Sequence, residues 1–155
     1  MKKLGLMLAM AAALVIAGCS NGTSSGDAGT TTSVTNDSKA SKTIRTAIDA
    51  IDGGDLAKAK GICDDLVDND WDNLGIYDKC DIAYCYARTL GPLGPSATDI
   101  DRFRRCLESV SAEDRDAAAR YVEETYAADL LTLEDLEGVL NVVETSARYK
   151  ATGEF

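Results

Sequence analysis

Apolar residues recur every three or four positions from about residue 44 to residue 147, and this spacing is the strongest constraint on the fold. It places apolar side chains on one face of an α-helix, whereas a half-buried β-strand alternates every second residue. No segment of the sequence sustains the alternating pattern. Turn and capping residues divide the helical pattern at Gly53–Gly54, Asp55, Gly91–Pro92, Ser111–Asp114 and Thr132–Asp135. The sequence therefore predicts an all-α fold with about six helices in antiparallel hairpins.

The first eighteen residues have the layout of an export signal. Lys2 and Lys3 precede an apolar stretch from Leu4 to Ala17, with small residues just before Cys19. The stretch is shorter than the roughly 20 residues that a permanent transmembrane helix needs. Residues 1–18 are therefore predicted to be a targeting segment that is removed from the mature protein.

The four residues Ile16-Ala17-Gly18-Cys19 resemble the lipobox of bacterial lipoproteins. The resemblance implies cleavage before Cys19, a thioether-linked diacylglycerol on its sulfur and an acyl chain on its new amino group. Two or three chains give the stable membrane anchoring that one chain does not. Ser20 in the next position implies, in this family, delivery to the outer membrane, facing the periplasm or the cell exterior. An ordinary secretory signal with an incidental Cys19 is the alternative.

A polar segment separates this anchor from the helical pattern. Residues 20–42 consist mainly of Ser, Thr, Gly, Asn and Asp, which bury too little apolar surface to offset the entropy of ordering. We predict that residues 19–42 are a lipidated cysteine and a flexible linker with a reach of about 25 Å. The helical domain is predicted over residues 43–150, with a disordered tail at 151–155.

Charge and composition exclude several classes of function. The formal net charge is −10, which disfavours a nucleic-acid partner because phosphates bind basic surfaces. The chain has no His, so Ser-His-Asp and Cys-His nucleophiles and His-ligated metals are excluded. No phosphate-binding Gly loop or nucleophile elbow occurs in the sequence. The sequence predicts neither a catalytic site nor a cofactor.

Two stretches resemble tetratricopeptide-type helix hairpins. The first has a small residue at Ala47, a Gly54-Asp55 turn and a second small residue at Ala59. The second is Ile82–Ala87 followed by Leu90-Gly91. Helix starts near residues 41, 73 and 112 give a spacing of about 32 to 39 residues, within the range of helix-pair repeats. The resemblance implies a protein-binding helical array, and an ordinary helical bundle is the alternative.

Four cysteines remain besides Cys19, an even number in a protein predicted to be exported: Cys63, Cys80, Cys85 and Cys106. Disulfides are favoured in oxidising compartments. Cys80 and Cys85 are five residues apart, so they point to different sides of their helix and should face different neighbours. We predict the pairs Cys63–Cys80 and Cys85–Cys106. Free buried thiols, or redox or metal chemistry, are the alternatives, and no Cys-x-x-Cys spacing is present.

An acidic run suggests a second kind of site. Asp68, Asp70 and Asp72 have the alternating spacing of the first ligands in a calcium-binding loop. Asn73 stands where that loop requires Gly, and Lys79 stands where it requires a bidentate Glu. We therefore favour a polar turn in which Asp72 or Asn73 caps the next helix.

Two further clusters could contact a partner. The basic run from Arg102 through Arg104 and Arg105 could bind an anion, although pairing with neighbouring carboxylates is the simpler interpretation. Tyrosines are favoured at interfaces, but we expect two of three on the third helix to pack in the core: Tyr77, Tyr84 and Tyr86. The sequence as a whole predicts a non-catalytic, lipid-anchored envelope protein that binds another envelope protein. A small-ligand or divalent-ion binding lipoprotein is the alternative.

Overall fold

The computed structural model describes residues 38–153, which form five α-helices and no strand. The helices are α1 (Lys39–Asp52), α2 (Leu56–Asn69), α3 (Ile76–Leu93), α4 (Ala97–Thr125) and α5 (Leu133–Thr152). Two short 3₁₀ turns, Trp71–Asn73 and Ala127–Asp129, lie in the connections before α3 and α5. The all-α prediction is confirmed.

Capping residues set the ends of the helical domain, and they correct two predicted boundaries. Ser38 accepts a hydrogen bond from the backbone N–H of Ser41, and the Ser41 hydroxyl donates to Asp78 at 2.7 Å. The helices therefore begin at Lys39 and not at 43, because a local cap and a long-range bond order this end. At the other end, α5 continues to Thr152, where Gly153 with φ 73° ends it, so the helix extends two residues into the predicted tail of 151–155. The predicted signal peptide and residues 19–37 of the predicted linker lie outside the described residues.

The predicted fourth and fifth helices form one bent helix, α4. Asp114 has φ −161° and ψ 89°, which interrupts the helical backbone. Its side chain accepts a hydrogen bond from the N–H of Ala117 at 3.0 Å, as an N-cap does. The start pattern at Ser111–Asp114 therefore marks the beginning of a second helical segment, as predicted, and the two segments meet at the bend within α4.

Helix α3 is the centre of the domain. It contacts each of the other four helices, and α1 and α5 both pack directly against it. Helix α2 contacts α1 and α3, while α4 contacts α3 and α5. The core is one cluster, whose largest fully buried side chains include Tyr86, Phe103, Ile44, Ile82, Leu90 and Leu136. Successive hairpins thus share α3 as a common packing partner.

Among residues 38–153, no helix has both the length and the apolar character needed to cross a bilayer.

Candidate functional site

The predicted lipidation site, Cys19, lies outside the described residues. The other four cysteines lie in the interior, where Cys63, Cys80, Cys85 and Cys106 have no exposed surface and are free thiols. Burial raises the pKa of the Cys80 thiol to about 12, and burial does the same for the pKa of Cys106. A thiol in this environment stays protonated, which makes it a poor nucleophile and a poor metal ligand.

The surroundings of the two cysteines of α3 differ. Cys85 lies against Cys63 of α2, and the hydrogen bond between these thiols, followed by burial, raises the pKa of Cys85. The charges of Asp81 and Glu113 add to the effect of burial on the pKa of Cys80. The predicted pairs Cys63–Cys80 and Cys85–Cys106 stay predictions. Helical periodicity separates Cys80 and Cys85 around their helix, but it does not say which neighbour each one faces.

Burial predicts that these thiols react slowly. In the folded protein we expect a maleimide to modify the four interior cysteines at least tenfold more slowly than in 6 M guanidinium, because the thiolate is disfavoured and access requires opening of the core. The measurement is intact-mass spectrometry over time. Rapid native labelling of any of the four would contradict this packing.

The acidic turn does not assemble a cation site. Both oxygens of Asp68 accept from Arg102, with Nε at 2.9 Å from Oδ1, and Asp70 Oδ1 accepts from the Asn73 side chain at 2.6 Å. No group of three or more carboxylates or thiols within 38–153 is arranged to hold a metal ion. The helix cap is also not where it was predicted. The N-cap of α3 is Gly75, whose N–H donates to Asp78, because the 3₁₀ turn intervenes after Asp70.

The basic run is used to hold helices together. Arg102 pairs with two aspartates of α2, Asp68 and Asp64, the latter at 3.4 Å. The hydrogen bond from Arg102 to Asp68 raises the pKa of the Arg102 guanidinium. Arg104 donates to Glu144 of α5 at 2.9 Å. The Arg105 guanidinium lies 3.9 Å from the ring centre of Trp71. Arg102 also pairs with Asp99 at 3.4 Å, and Arg104 pairs with Asp101, so the simpler interpretation, pairing with neighbouring carboxylates, is confirmed for these two arginines.

The α3 tyrosines pack as expected, since Tyr84 and Tyr86 are buried and Tyr77 is half-buried. Their surroundings contain a cluster that the sequence did not reveal. Tyr121 of α4 and Tyr126, which follows the end of α4, donate hydrogen bonds to Asp81 at 3.0 and 2.7 Å. Tyr126 also stacks on Tyr84 with ring centres 3.9 Å apart. This tyrosine–aspartate cluster holds the part of α4 that follows the bend at Asp114 against α3.

Asp81 makes the stability of this contact depend on pH. Burial, with a smaller contribution from Asp78, raises the pKa of Asp81 from 3.8 to about 6, although bonds from Tyr126 and Tyr121 and the charge of Arg45 oppose the shift. The folded state therefore keeps this proton up to a higher pH than the unfolded state does. The contribution of this proton to the free energy of unfolding is complete below about pH 4 and is lost as the pH rises through about 6.

We expect Asp81→Asn to cancel this dependence. Relative to the parent protein, the variant should gain roughly 2 kcal/mol in free energy of unfolding between pH 4.5 and pH 7.5. Urea unfolding at the two pH values measures the difference, and Asp116→Asn, on the exposed side of α4, is the matched control. An equal difference between parent and Asp81→Asn at both pH values would contradict the assignment.

A groove lies between α4 and α5. Two adjoining hollows of about 200 and 340 Å³ share Arg104 and Glu144 in their walls. Ile100, Leu107 and Leu140 provide apolar surface along the groove. Charged side chains at its rim include Asp101, Glu108, Glu137 and Arg148. An apolar floor with a charged rim is the composition of a surface that binds a peptide or a helix.

Comparison with known proteins gives no relative: no family model, curated protein or solved structure matches the chain. The function must therefore be argued from the residues themselves.

Proposed function

We propose that the protein is a lipid-anchored lipoprotein of the cell envelope that uses its helical domain for non-catalytic binding of another envelope protein. Cys19 would hold it to the bilayer, and the outer membrane is the proposed location because Ser20 follows the lipidated cysteine. The lipobox resemblance of Ile16–Cys19 supports the anchor. The anchored form lacks Lys2 and Lys3 and has 14 basic and 26 acidic residues, a net charge of −12. Anionic head groups would repel it, so acyl chains must supply the attachment.

The observation that carries the binding role is the arrangement of helices around α3. Helices α1, α3 and α5 are neighbours, with α2 and α4 packed between successive members of that row. Tetratricopeptide-type arrays stack their hairpins in the same order, and they use the resulting grooves to bind other proteins. The analogy supports the proposal, and the groove between α4 and α5 is the surface we assign to the partner.

The interior cysteines and the acidic turn offer no observation that favours catalysis or ion binding over this role. The thiols are protonated and buried, and Asp68 and Asp70 are engaged by Arg102 and Asn73. A calcium titration followed by Trp71 fluorescence tests the ion-binding alternative directly. A saturable response would favour that alternative.

Site-specific photo-crosslinking in the intact envelope tests the binding role. A benzophenone amino acid at Glu108, on the groove rim, is expected to capture one stoichiometric envelope protein. The matched control is the same probe at Glu124, an exposed position on the other half of α4. Capture at both positions alike, or at neither, would contradict the assignment of the groove.

A further inference from the structure

We propose that α5 pairs with the α5 of a second copy of this chain, in antiparallel orientation, through its outward face. This face consists of Gly138, Asn141, Val142, Thr145, Ser146 and Tyr149 and is called the outer face below. It lies away from the groove between α4 and α5. The proposal adds a second surface to the proposed function, and it uses the membrane anchor of that proposal only to bring copies together.

The outer face is uncharged and partly apolar in an acidic protein. Val142 is 69% exposed and Tyr149 is 44% exposed, and both belong to the small set of large hydrophobic side chains on the described surface. Together with Asn141, Thr145 and Ser146 they line a hollow of about 340 Å³. Removal of residues 1–18 takes away Lys2 and Lys3 and leaves each anchored copy with 14 basic and 26 acidic residues, a net charge of −12. Two such copies repel each other, so a contact between them needs a surface of this kind.

The order of residues along α5 makes the face complementary to itself. A two-fold axis midway between Val142 and Thr145 places Val142 of one copy opposite Thr145 of the other. The same axis places Tyr149 opposite Gly138, where an added Cβ would meet nothing within 4 Å. The largest side chain of the face therefore lies over its smallest residue, which allows the two helices to approach closely. This reciprocal pairing is what a two-fold contact requires.

Charge at the two ends of α5 selects the antiparallel orientation. The first part of the helix carries Glu134, Asp135 and Glu137, whereas the last part carries Arg148 and Lys150. Antiparallel pairing brings the basic end of one copy beside the acidic end of the other. It also opposes the two helix dipoles, which is favourable. A parallel pair would instead align like charges.

The face is one helix wide, so the contact is smaller than the roughly 1,600 Å² of a standard stable interface. Association should therefore be concentration-dependent in detergent and stronger on a membrane, where anchored copies share a surface. This distinguishes the proposed pairing from a permanent dimer.

The test uses the full-length protein with a benzophenone amino acid in place of Tyr149, irradiated in membranes. We expect a cross-linked dimer whose linked peptide includes Gly138. Val142→Asp places two carboxylates at the centre of the pair and should lower the dimer yield at least tenfold. The matched control is Leu130→Asp, because Leu130 is 87% exposed and lies outside the outer face. An equal loss in both variants, or a cross-link only to another protein, would overturn the proposal.

The position of the cross-link provides an independent check on orientation. A parallel pair would join the Tyr149 probe to the segment around residue 149 of the other copy, far from Gly138. A cross-link confined to that segment would overturn the antiparallel arrangement. The outcome is separable from the proposed function, because the Glu108 probe reports on the groove and the Tyr149 probe reports on the outer face.

Discussion

Replacing Cys19 by Ser is expected to move the protein from the membrane fraction to the soluble fraction almost completely. Each buried methylene of an acyl chain contributes about 0.8 kcal/mol, so the two or three chains that we propose would hold the protein where a single chain binds only marginally. Without them, the acidic body would be repelled by anionic head groups. The measurement is membrane pelleting with detergent-free washes, followed by intact-mass spectrometry of acylation.

An uncleaved signal could retain the Cys19→Ser protein by its apolar stretch, so the design needs a second form. In that form, an ordinary cleavable secretory signal replaces residues 1–18, and the Cys19→Ser substitution is kept. Ser20→Ala with Cys19 intact is the matched control, which should stay in the pellet. Retention of the Cys19→Ser protein in both forms would contradict lipid anchoring.

Phe103→Ala is expected to cause the largest loss of stability among the single substitutions considered. The Phe103 ring has no exposed surface and lies 6.0 Å from the ring of Tyr86, between α3 and α4. Removing a buried aromatic ring leaves a cavity and costs about 3–5 kcal/mol, a large share of the stability of a domain of this size. Thermal unfolding followed by circular dichroism at 222 nm should show a melting temperature lower by about 15 °C or more.

Leu93→Ala is the matched control for this substitution. Leu93 ends α3 and is 43% exposed, so its truncation should change the free energy of unfolding by roughly 0.5 kcal/mol or less. If the two variants melted within a few degrees of each other, the α3–α4 contact would not be the centre of the core.

Local chemistry was readable from the sequence where it depends on neighbours along the chain. The caps at Asp55 and Thr132 are formed as predicted, and Asp114 caps the second half of α4. Boundaries near Ser38 were missed because the deciding bond, from Ser41 to Asp78, spans 37 positions.

The other features that the sequence did not reveal depend on contacts between residues far apart in the chain. Asp81 is separated from Tyr121 and Tyr126 by 40 and 45 positions, so no local pattern connects them. The one signal available in the sequence was the position of Asp81 itself, an acidic residue on the buried side of a predicted helix. The cysteines illustrate the same difficulty, since the direction of Cys85 toward Cys63 depends on how α3 is rotated against its neighbours.

The central position of α3 has a consequence for degradation. In long helical arrays, an end hairpin can fray while the rest persists, because each unit touches only adjacent units. Here α3 contacts all four of the other helices. Unfolding of either terminal hairpin would therefore expose part of the core that all the helices share. We therefore expect limited proteolysis to yield no stable fragment shorter than the helical domain. A single cleavage within the helical domain should lead to complete digestion of that domain.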